Sequence, residues 1–300
     1  MKETFVDKSF RSNTLRVIEW VNDILAKYGA MGYDLTTRQV YYQLVAQDLI
    51  PNDPKSYNRI KGIVSDGRLA GLIDWAMIVD RTRKVIIPSR WKDPAEIVKQ
   101  AAKQFRIDKW ERQPRHVEVM VEKQALEGIL TPVCRDLDIP FTANKGYSSS
   151  SAMYRAGKRL FKAFLAGKEL FVLYLGDHDP SGIDMDRDIL ERLEMFSTVH
   201  LDVTRLALLM DQIETMDIPE NPAKVSDSRY AGYVATFGPA SWELDAMEPT
   251  ELASVVTEAV ENLRDEDLWQ EALDEEKEMK DELWEFVNDY EERESNDGSA

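Results

Sequence analysis

The sequence predicts an α/β fold, and three observations carry it. From about residue 115, apolar runs of strand length alternate with amphipathic stretches of helix length, the rhythm of a parallel sheet joined by crossover helices. Ahead of them, residues 1–112 read as helices followed by a basic connection between two short apolar runs. After them, residues 241–300 read as acidic helix. The expected organisation is therefore 1–112, 113–240 and 241–300, and 300 residues fit two domains with an extension.

The first unit is helical before it is extended. Thr14–Lys27 puts Leu15, Ile18, Val21, Ile24 and Leu25 on one face and closes near Gly29 and Gly32. Thr36 with Gln39 three residues on forms a capping box. It opens a second helix through Val40, Tyr41, Tyr42, Leu44 and Val45 to about Leu49. Ser56–Leu69 is a third, with Ile60, Ile63 and Val64 inward and Arg59, Lys61 and Arg68 outward. Leu72–Val79 and Val85–Ile87 read as short strands around Asp80-Arg81-Thr82-Arg83-Lys84. Three helices and a basic hairpin predict a winged-helix module, with phosphate contacts from Lys61, Arg68, Arg81, Arg83 and Lys84. Composition alone slightly favours a generic helical domain with a solvated basic face.

The second unit alternates. Strands are expected at His116–Val121, Ile139–Ala143, Leu170–Leu175 and Thr198–Val203. Helices are expected at Lys123–Leu137, Ser149–Leu165, Ser181 to about Leu193, and Thr204–Ile213. Residues 214–240 are loop-rich, with Pro219, Pro222, Gly232, Gly238 and Pro239. From Pro249 the chain is helical, with one apolar stripe from Leu252 to Leu263 and another from Trp269 to Tyr290; Glu291–Ala300 is expected to be disordered.

Charge divides the same way. Residues 1–115 hold 21 Lys+Arg against 14 Asp+Glu, residues 116–240 hold 13 against 19, and residues 241–300 hold 4 against 22. A net charge of −17 is thus compatible with polyanion binding by the front. The acidic stretch Glu271–Glu294 is either a solvated helix face or a cover over the basic groove. The single cysteine, Cys134, excludes a disulfide framework, fits a reducing cytoplasm and reads as buried filler. No signal peptide or membrane-spanning segment is expected.

The chemistry gathers at strand ends. Leu170–Leu175 runs directly into Gly176-Asp-His-Asp-Pro-Ser-Gly182. Asp177 and Asp179, two apart in extended chain, point the same way at a strand's carboxyl end, where open α/β sheets hold ligands. Two adjacent carboxylates suit a hard cation; the plainer alternative is a turn with solvated acids. Glu122 follows the strand His116–Val121, and if those strands are neighbours it joins the two aspartates. Three carboxylates there are equipment for binding Mg²⁺, with Mn²⁺ as a substitute, and for phosphoryl transfer. On the second helix, Tyr41 falls on the apolar arc while Tyr42 lies roughly 130° from its middle, close to Arg38. An exposed phenol beside a guanidinium is a nucleophile with a phosphate clamp, or a half-buried aromatic stacked on an arginine. The stretch Gly238–Met247 carries two acids, Glu243 and Asp245, and Trp242; packing is the expected role of Trp242.

Together these residues resemble a known set. Val119-Met-Val-Glu-Lys123 followed by Gly176–Gly182 resembles the Toprim domain. Thr37-Arg-Gln-Val-Tyr-Tyr42 resembles the tyrosine motif of the topoisomerase VI A subunit and its meiotic double-strand-break relatives, and Asn144-Lys-Gly-Tyr-Ser148 resembles a loop of that family. The likeness covers roughly residues 28–190. It departs at Ser148 and Ser181 and stops short of residues 249–294.

The resemblance implies a CAP-like winged-helix domain followed by a Toprim domain. It implies that Tyr42 attacks a DNA phosphodiester to give a 5′-phosphotyrosyl link, and that Arg38 contacts the scissile phosphate. Glu122, Asp177 and Asp179 would hold Mg²⁺, with Glu122 also a catalytic residue, and Lys145 would lie near the DNA. The implied partners are double-stranded DNA, a second copy in a homodimer and a separate ATPase subunit; the implied location is the cytoplasm, on the nucleoid. The expected function is type IIB topoisomerase A-like DNA cleavage, with rejoining. The alternatives are a Toprim nuclease acting by hydrolysis and a non-catalytic DNA-binding module.

Overall fold

The N-terminal helices form where the sequence sets caps and apolar spacing. In the computed structural model, which describes residues 2–79, 88–144 and 150–297, α1 spans Ser12–Ala30 and buries Val17, Ile18, Val21, Ile24, Leu25 and Tyr28 along one stripe. Helix α2 (Thr37–Ala46) starts at the expected box: Thr36 accepts the Gln39 N–H, and the Gln39 side chain accepts the Thr36 N–H at 2.8 Å. Asp53 caps α3 (Pro54–Leu69), accepting the Ser56 N–H at 2.8 Å, and Pro54 stands in the first turn, where no N–H is needed. Ile60, Ile63 and Val64 face inward as expected.

Leu72–Val79 does not form the expected strand. It makes a single isolated bridge, Ile78 against Leu35. The backbone here is satisfied locally instead. Gly71 turns the chain at φ 71°, Asp74 accepts the Ala76 N–H at 2.8 Å, and Arg68 donates to the Trp75 carbonyl at 2.9 Å. The second expected strand, Val85–Ile87, lies outside the described residues. An unforeseen helix, α4 (Pro94–Gln104), follows; Asp93 caps it by accepting the Glu96 N–H at 2.9 Å. The pair Asp93-Pro94 was its sequence signal.

Four strands, β1 (Arg115–Val121), β2 (Phe141–Ala143), β3 (Glu169–Leu175) and β4 (Asp202–Ala207), form one parallel sheet in the order β2-β1-β3-β4. Side chains alternate faces along each strand. Val117, Val119 and Val121 of β1 and Leu173 and Leu175 of β3 join the core that also holds the N-terminal helices and α5 (Glu127–Asp136). Met120, Val172 and Tyr174 face the other way, onto α6 (Ser150–Leu165) and α7 (Pro180–Ser197). Cover on both faces explains why β3 reads as an unbroken apolar run. Each such buried side chain contributes roughly 2 kcal/mol.

The last strand is displaced from its expected position at Thr198–Val203. Helix α7 continues to Ser197, and Thr198 ends it in the left-handed region at φ 60°. Pairing of Asp202 with Phe171 then sets the register of β4, which consumes the start of the helix expected at Thr204–Ile213. What remains of that helix is α8 (Met210–Thr215). The loop-rich stretch holds a short ladder of β5 (Asn221–Pro222) with β6 (Ala240–Ser241), and α9 (Tyr230–Phe237) between them.

Helices α10 (Pro249–Glu261) and α11 (Glu266–Asp297) complete the chain. Of the stretch expected to be disordered, residues 291–297 continue α11, and 298–300 lie outside the described residues. Helix α11 packs on α4 and on residues 107–113, not over the groove at Lys61. Glu276 anchors it, accepting from Lys109 Nζ at 2.6 Å and from the Ile107 N–H at 3.2 Å. Among the described residues no helix is long and apolar enough to cross a membrane.

Candidate phosphoryl-transfer site

The turn after β3 is built by close approach. Asp179 ends the extended segment and caps α7, its Oδ1 accepting the Gly182 N–H at 2.6 Å and the Ser181 hydroxyl at 3.1 Å. A Cβ at position 182 would lie 2.2 Å from the Asp177 carbonyl oxygen, so only glycine lets α7 start this tightly. Arg205 of β4, nearly buried, clamps the turn from below. It donates to the carbonyls of Gly176 at 3.1 Å, Asp177 at 3.2 Å and Gly182 at 2.5 Å, and pairs with Asp186 at 2.9 Å. Local reading singles out no role for Arg205, whose carboxylate partner Asp186 lies 19 residues away and whose partner carbonyls in the turn lie 23 to 29 away.

Beside this turn, the end of β1 delivers Glu122 and Lys123. Glu122 is buried; its Oε2 accepts the Asp177 N–H at 2.9 Å and the Tyr174 hydroxyl at 3.4 Å. The two strand ends are neighbours as expected, since β1 pairs with β3 through Val121 and Leu175. Burial raises the Glu122 carboxyl above its ordinary range, and the nearby charge of Asp179 adds to the rise. Burial likewise pushes Asp177 up, with Lys123 pulling against it and Glu122 adding to it. Asp177 Oδ1 takes two donors, Lys123 Nζ and the Leu244 N–H, both at 2.8 Å. Asp177 and Asp179 thus serve different partners.

Lys123 is the hub that local reading missed. Besides Asp177, its Nζ meets Glu243 at 2.6 Å and Asp245 at 3.8 Å. Burial works against its charge, but Asp245, Asp177 and Glu243 together keep it firmly protonated. Both new acids come from the stretch Gly238–Met247, which folds back onto the strand-end turn. Trp242 and His178 exchange backbone hydrogen bonds at 2.9 Å each, and Trp242 is buried, as expected of packing. His178 lies against Tyr233, Phe237 and Trp242, with Nδ1 2.8 Å from the Tyr233 hydroxyl. Burial drops its pKa to about 4, so the ring is neutral. Nothing local marks Glu243 and Asp245 as site residues except two acids beside a tryptophan in one short loop.

The tyrosine helix reaches the same place. Arg38 pairs with Glu243 through Nη2 and with Asp245 Oδ2 at 3.4 Å, and lies 5.8 Å over the Tyr42 ring. Tyr42 itself is buried, not exposed as expected: Tyr41 packs edge-on at 5.2 Å, and Arg38 and Glu243 lie against its hydroxyl side. Helical geometry put Tyr42 off the apolar arc, but Val40, Tyr41, Tyr42, Leu44 and Val45 all join one core, and the loop at 243 lies against Tyr42. Burial raises the phenol pKa, Glu243 adds to the rise, and Arg38 and Lys123 oppose it. Tyr42 still lines a cleft of about 200 Å³ with Arg38, Tyr57, Asn52, Asn221 and Glu243. A second groove, about 560 Å³, continues from Arg38 and Tyr57 to Lys61, Ser65 and Arg68.

The expected phosphate contacts divide. Lys61 is exposed on that groove. Arg68 lines it too; its guanidinium stacks on Trp75 at 4.4 Å and donates to the Trp75 carbonyl at 2.9 Å, while its Nε has no hydrogen-bond partner among the described residues. Arg81, Arg83, Lys84 and Lys145 lie outside the described residues.

Among the described residues no three His, Cys, Asp or Glu side chains already converge on one point. The donor set nonetheless suits a hard cation: Glu122, Asp177 and Asp179 offer oxygen alone. The Asp245 Oδ1, buried 3.8 Å from Lys123 Nζ, has no hydrogen-bond donor among the described residues. Comparison of the chain with protein-family models, curated proteins and solved structures returns no match.

Proposed function

We propose that the chain cleaves double-stranded DNA by tyrosyl transesterification, in the manner of a type IIB topoisomerase A subunit. One observation supports this above the others. Tyr42 and Arg38 sit at one end, and Asp177 and Glu122 at the other, of a continuous set of polar contacts through Glu243 and Lys123. Residues more than 130 positions apart thereby line one composite site.

In this reading Arg38 and Lys123 neutralise the scissile phosphate. The Tyr42 oxygen bonds to phosphorus, the bond from phosphorus to the 3′ oxygen breaks, and the proton lost by the phenol balances the one gained by the 3′ oxygen. The products are a 5′-phosphotyrosyl link and a 3′ hydroxyl; the reverse exchange rejoins the strand. Glu122, Asp177 and Asp179 would hold Mg²⁺, which supplies charge neutralisation at a transferring phosphate. Cutting both strands calls for a second copy, and ATP-driven strand passage for a separate ATPase chain.

Burial of Tyr42 favours a second reading, in which the carboxylates support hydrolysis by water and the tyrosine only packs. The two part in one experiment. Supercoiled plasmid is incubated with protein and Mg²⁺ or Mn²⁺, stopped with detergent and assayed for DNA covalently bound to protein. Transesterification requires adduct in wild type and loss of cleavage in both Tyr42→Phe and Asp177→Ala. Cleavage retained by Tyr42→Phe and lost by Asp177→Ala leaves hydrolysis.

A further inference from the structure

Glu243 stands where a ligand phosphate is wanted. Its Oε2 accepts from Lys123 Nζ at 2.6 Å and from Arg38 Nη2, and the Tyr42 hydroxyl is within reach. A guanidinium, an ammonium and a phenol are the donors that a phosphodiester takes. The carboxylate matches a phosphodiester in charge and in offering two free oxygens.

The residue is also placed to leave. Its loop is pinned on either side, by the paired hydrogen bonds of Trp242 with His178 and by the Leu244 N–H on Asp177 at 2.8 Å. Glu243 between them is extended, at φ −96° and ψ 132°, and its side chain is 27% exposed, beside Arg38 at 43%. Rotation about its side-chain bonds frees the two cations without unfolding the loop. Asp245 stays behind. It is 1% exposed, 3.4 Å from Arg38 and 3.8 Å from Lys123, so the cations keep a counter-charge while Glu243 is out.

We propose that Glu243 is an internal competitor of the nucleic-acid backbone: it occupies Arg38 and Lys123 in the free protein and is displaced when a DNA phosphate takes the same donors. The inference rests on the reading of this cleft as a DNA site, though not on the tyrosine being its nucleophile. Displacement sets a threshold. A polyanion that also engages Lys61 along the adjoining groove gains enough to evict the carboxylate, whereas a lone small anion gains much less.

The test is metal-free binding of a fluorescent DNA duplex to the full chain, followed by anisotropy in EDTA. The proteins are wild type, Glu243→Gln, Glu243→Ala, Arg38→Gln, the Arg38→Gln/Glu243→Gln pair, and Glu282→Gln as a charge control on exposed α11. Removing the competing carboxylate should tighten binding about tenfold, the worth of one hydrogen bond to a charged group. The fall of affinity with salt should steepen in both Glu243 variants, because no displaced carboxylate takes up a counter-ion when the two cations turn to phosphate. The gain should shrink in the Arg38→Gln background and be absent in Glu282→Gln. Unchanged or weaker binding by both Glu243 variants overturns the proposal, as does an equal gain in Glu282→Gln, an undiminished gain without Arg38, or unfolding of both variants. The same proteins are also run in the plasmid assay with Mg²⁺ or Mn²⁺ described above, where a slower covalent adduct with unchanged binding would make Glu243 a proton acceptor for Tyr42 and also overturn it. Tighter binding with no adduct in any protein keeps the competitor and removes transesterification; adduct with no gain in binding does the reverse.

Discussion

Replacing Gly182 with alanine tests the geometry on which the strand-end turn depends. The new Cβ would stand 2.2 Å from the Asp177 carbonyl oxygen, 2.9 Å from its carbon and 3.1 Å from Asp179 Oδ1. Ordinary contact needs more than 3 Å, so the backbone must separate by about an ångström. Neither side yields freely. The Asp177 carbonyl is held by Arg205 at 3.2 Å, and the Gly182 N–H by Asp179 at 2.6 Å. Overpacking costs about 1–3 kcal/mol and loss of the cap about 1 kcal/mol, so Gly182→Ala should cost roughly 2–4 kcal/mol in urea denaturation. Gly62→Ala is the internal control. It lies within α3 with nothing within 4 Å of its would-be Cβ, and should stabilise by about 0.5–1 kcal/mol. Equal midpoints for the two variants would refute the close approach of α7 to the turn, and with it the placement of Asp177 and Asp179.

Three further outcomes are expected. Burial alone would raise the Glu276 carboxyl, but hydrogen bonds from Lys109, Lys280 and the Ile107 N–H hold it down at about 2. A depressed carboxyl contributes stability that is full above its unfolded value, about 4.3, and is lost as pH falls toward 2; the contribution is on the order of 3 kcal/mol. The stability difference between wild type and Glu276→Gln should therefore close between about pH 5 and pH 2, and a gap independent of pH rejects the pair. Arg205→Ala removes the buried cation that pairs with Asp186 and ties together the carbonyls of Gly176, Asp177 and Gly182, and should cost about 3–5 kcal/mol by chemical denaturation; a loss under 1 kcal/mol rejects the clamp. Mg²⁺ should raise the melting temperature of wild type, by the equivalent of about 2.7 kcal/mol at a hundredfold excess over its Kd, and should leave Asp177→Asn unmoved. No response of wild type to Mg²⁺ or Mn²⁺ argues against the carboxylate site.

Much of the scaffold was legible because its signals are local. The Thr36–Gln39 box, the Asp53 cap and the inward Ile60, Ile63 and Val64 each lie within one or two turns of helix. Cys134, set among apolar neighbours, is buried as read, and burial pushes its thiol up to about 12. Failures fell where a specific contact, near or far along the chain, outvoted the apolar pattern. The apolar run Leu72–Val79 reads as strand, yet Asp74 and Arg68 take its backbone groups into a turn. The start of β4 was misplaced by four residues because its register is set by β3, some 30 positions earlier.

The sequence alone determined that apolar strands end in acids. An unbroken apolar run followed by Asp-x-Asp puts carboxylates at the carboxyl end of a buried strand, and Glu122 after Val121 puts another at a second strand end. It also set the angle between Tyr42 and the arc of Val40, Tyr41, Leu44 and Val45, since 100° per residue fixes that angle regardless of context. Only the tertiary structure decided what those groups touch. Asp179 spends its carboxylate on a helix cap. Lys123, a bland neighbour of Glu122 in the sequence, becomes the cation shared by Asp177, Glu243 and Asp245. Tyr42, free to be exposed by its own helix, is covered by a loop 200 residues away. Periodicity is written in neighbouring residues; ion pairs across such distances are written only in the packing that brings their elements together.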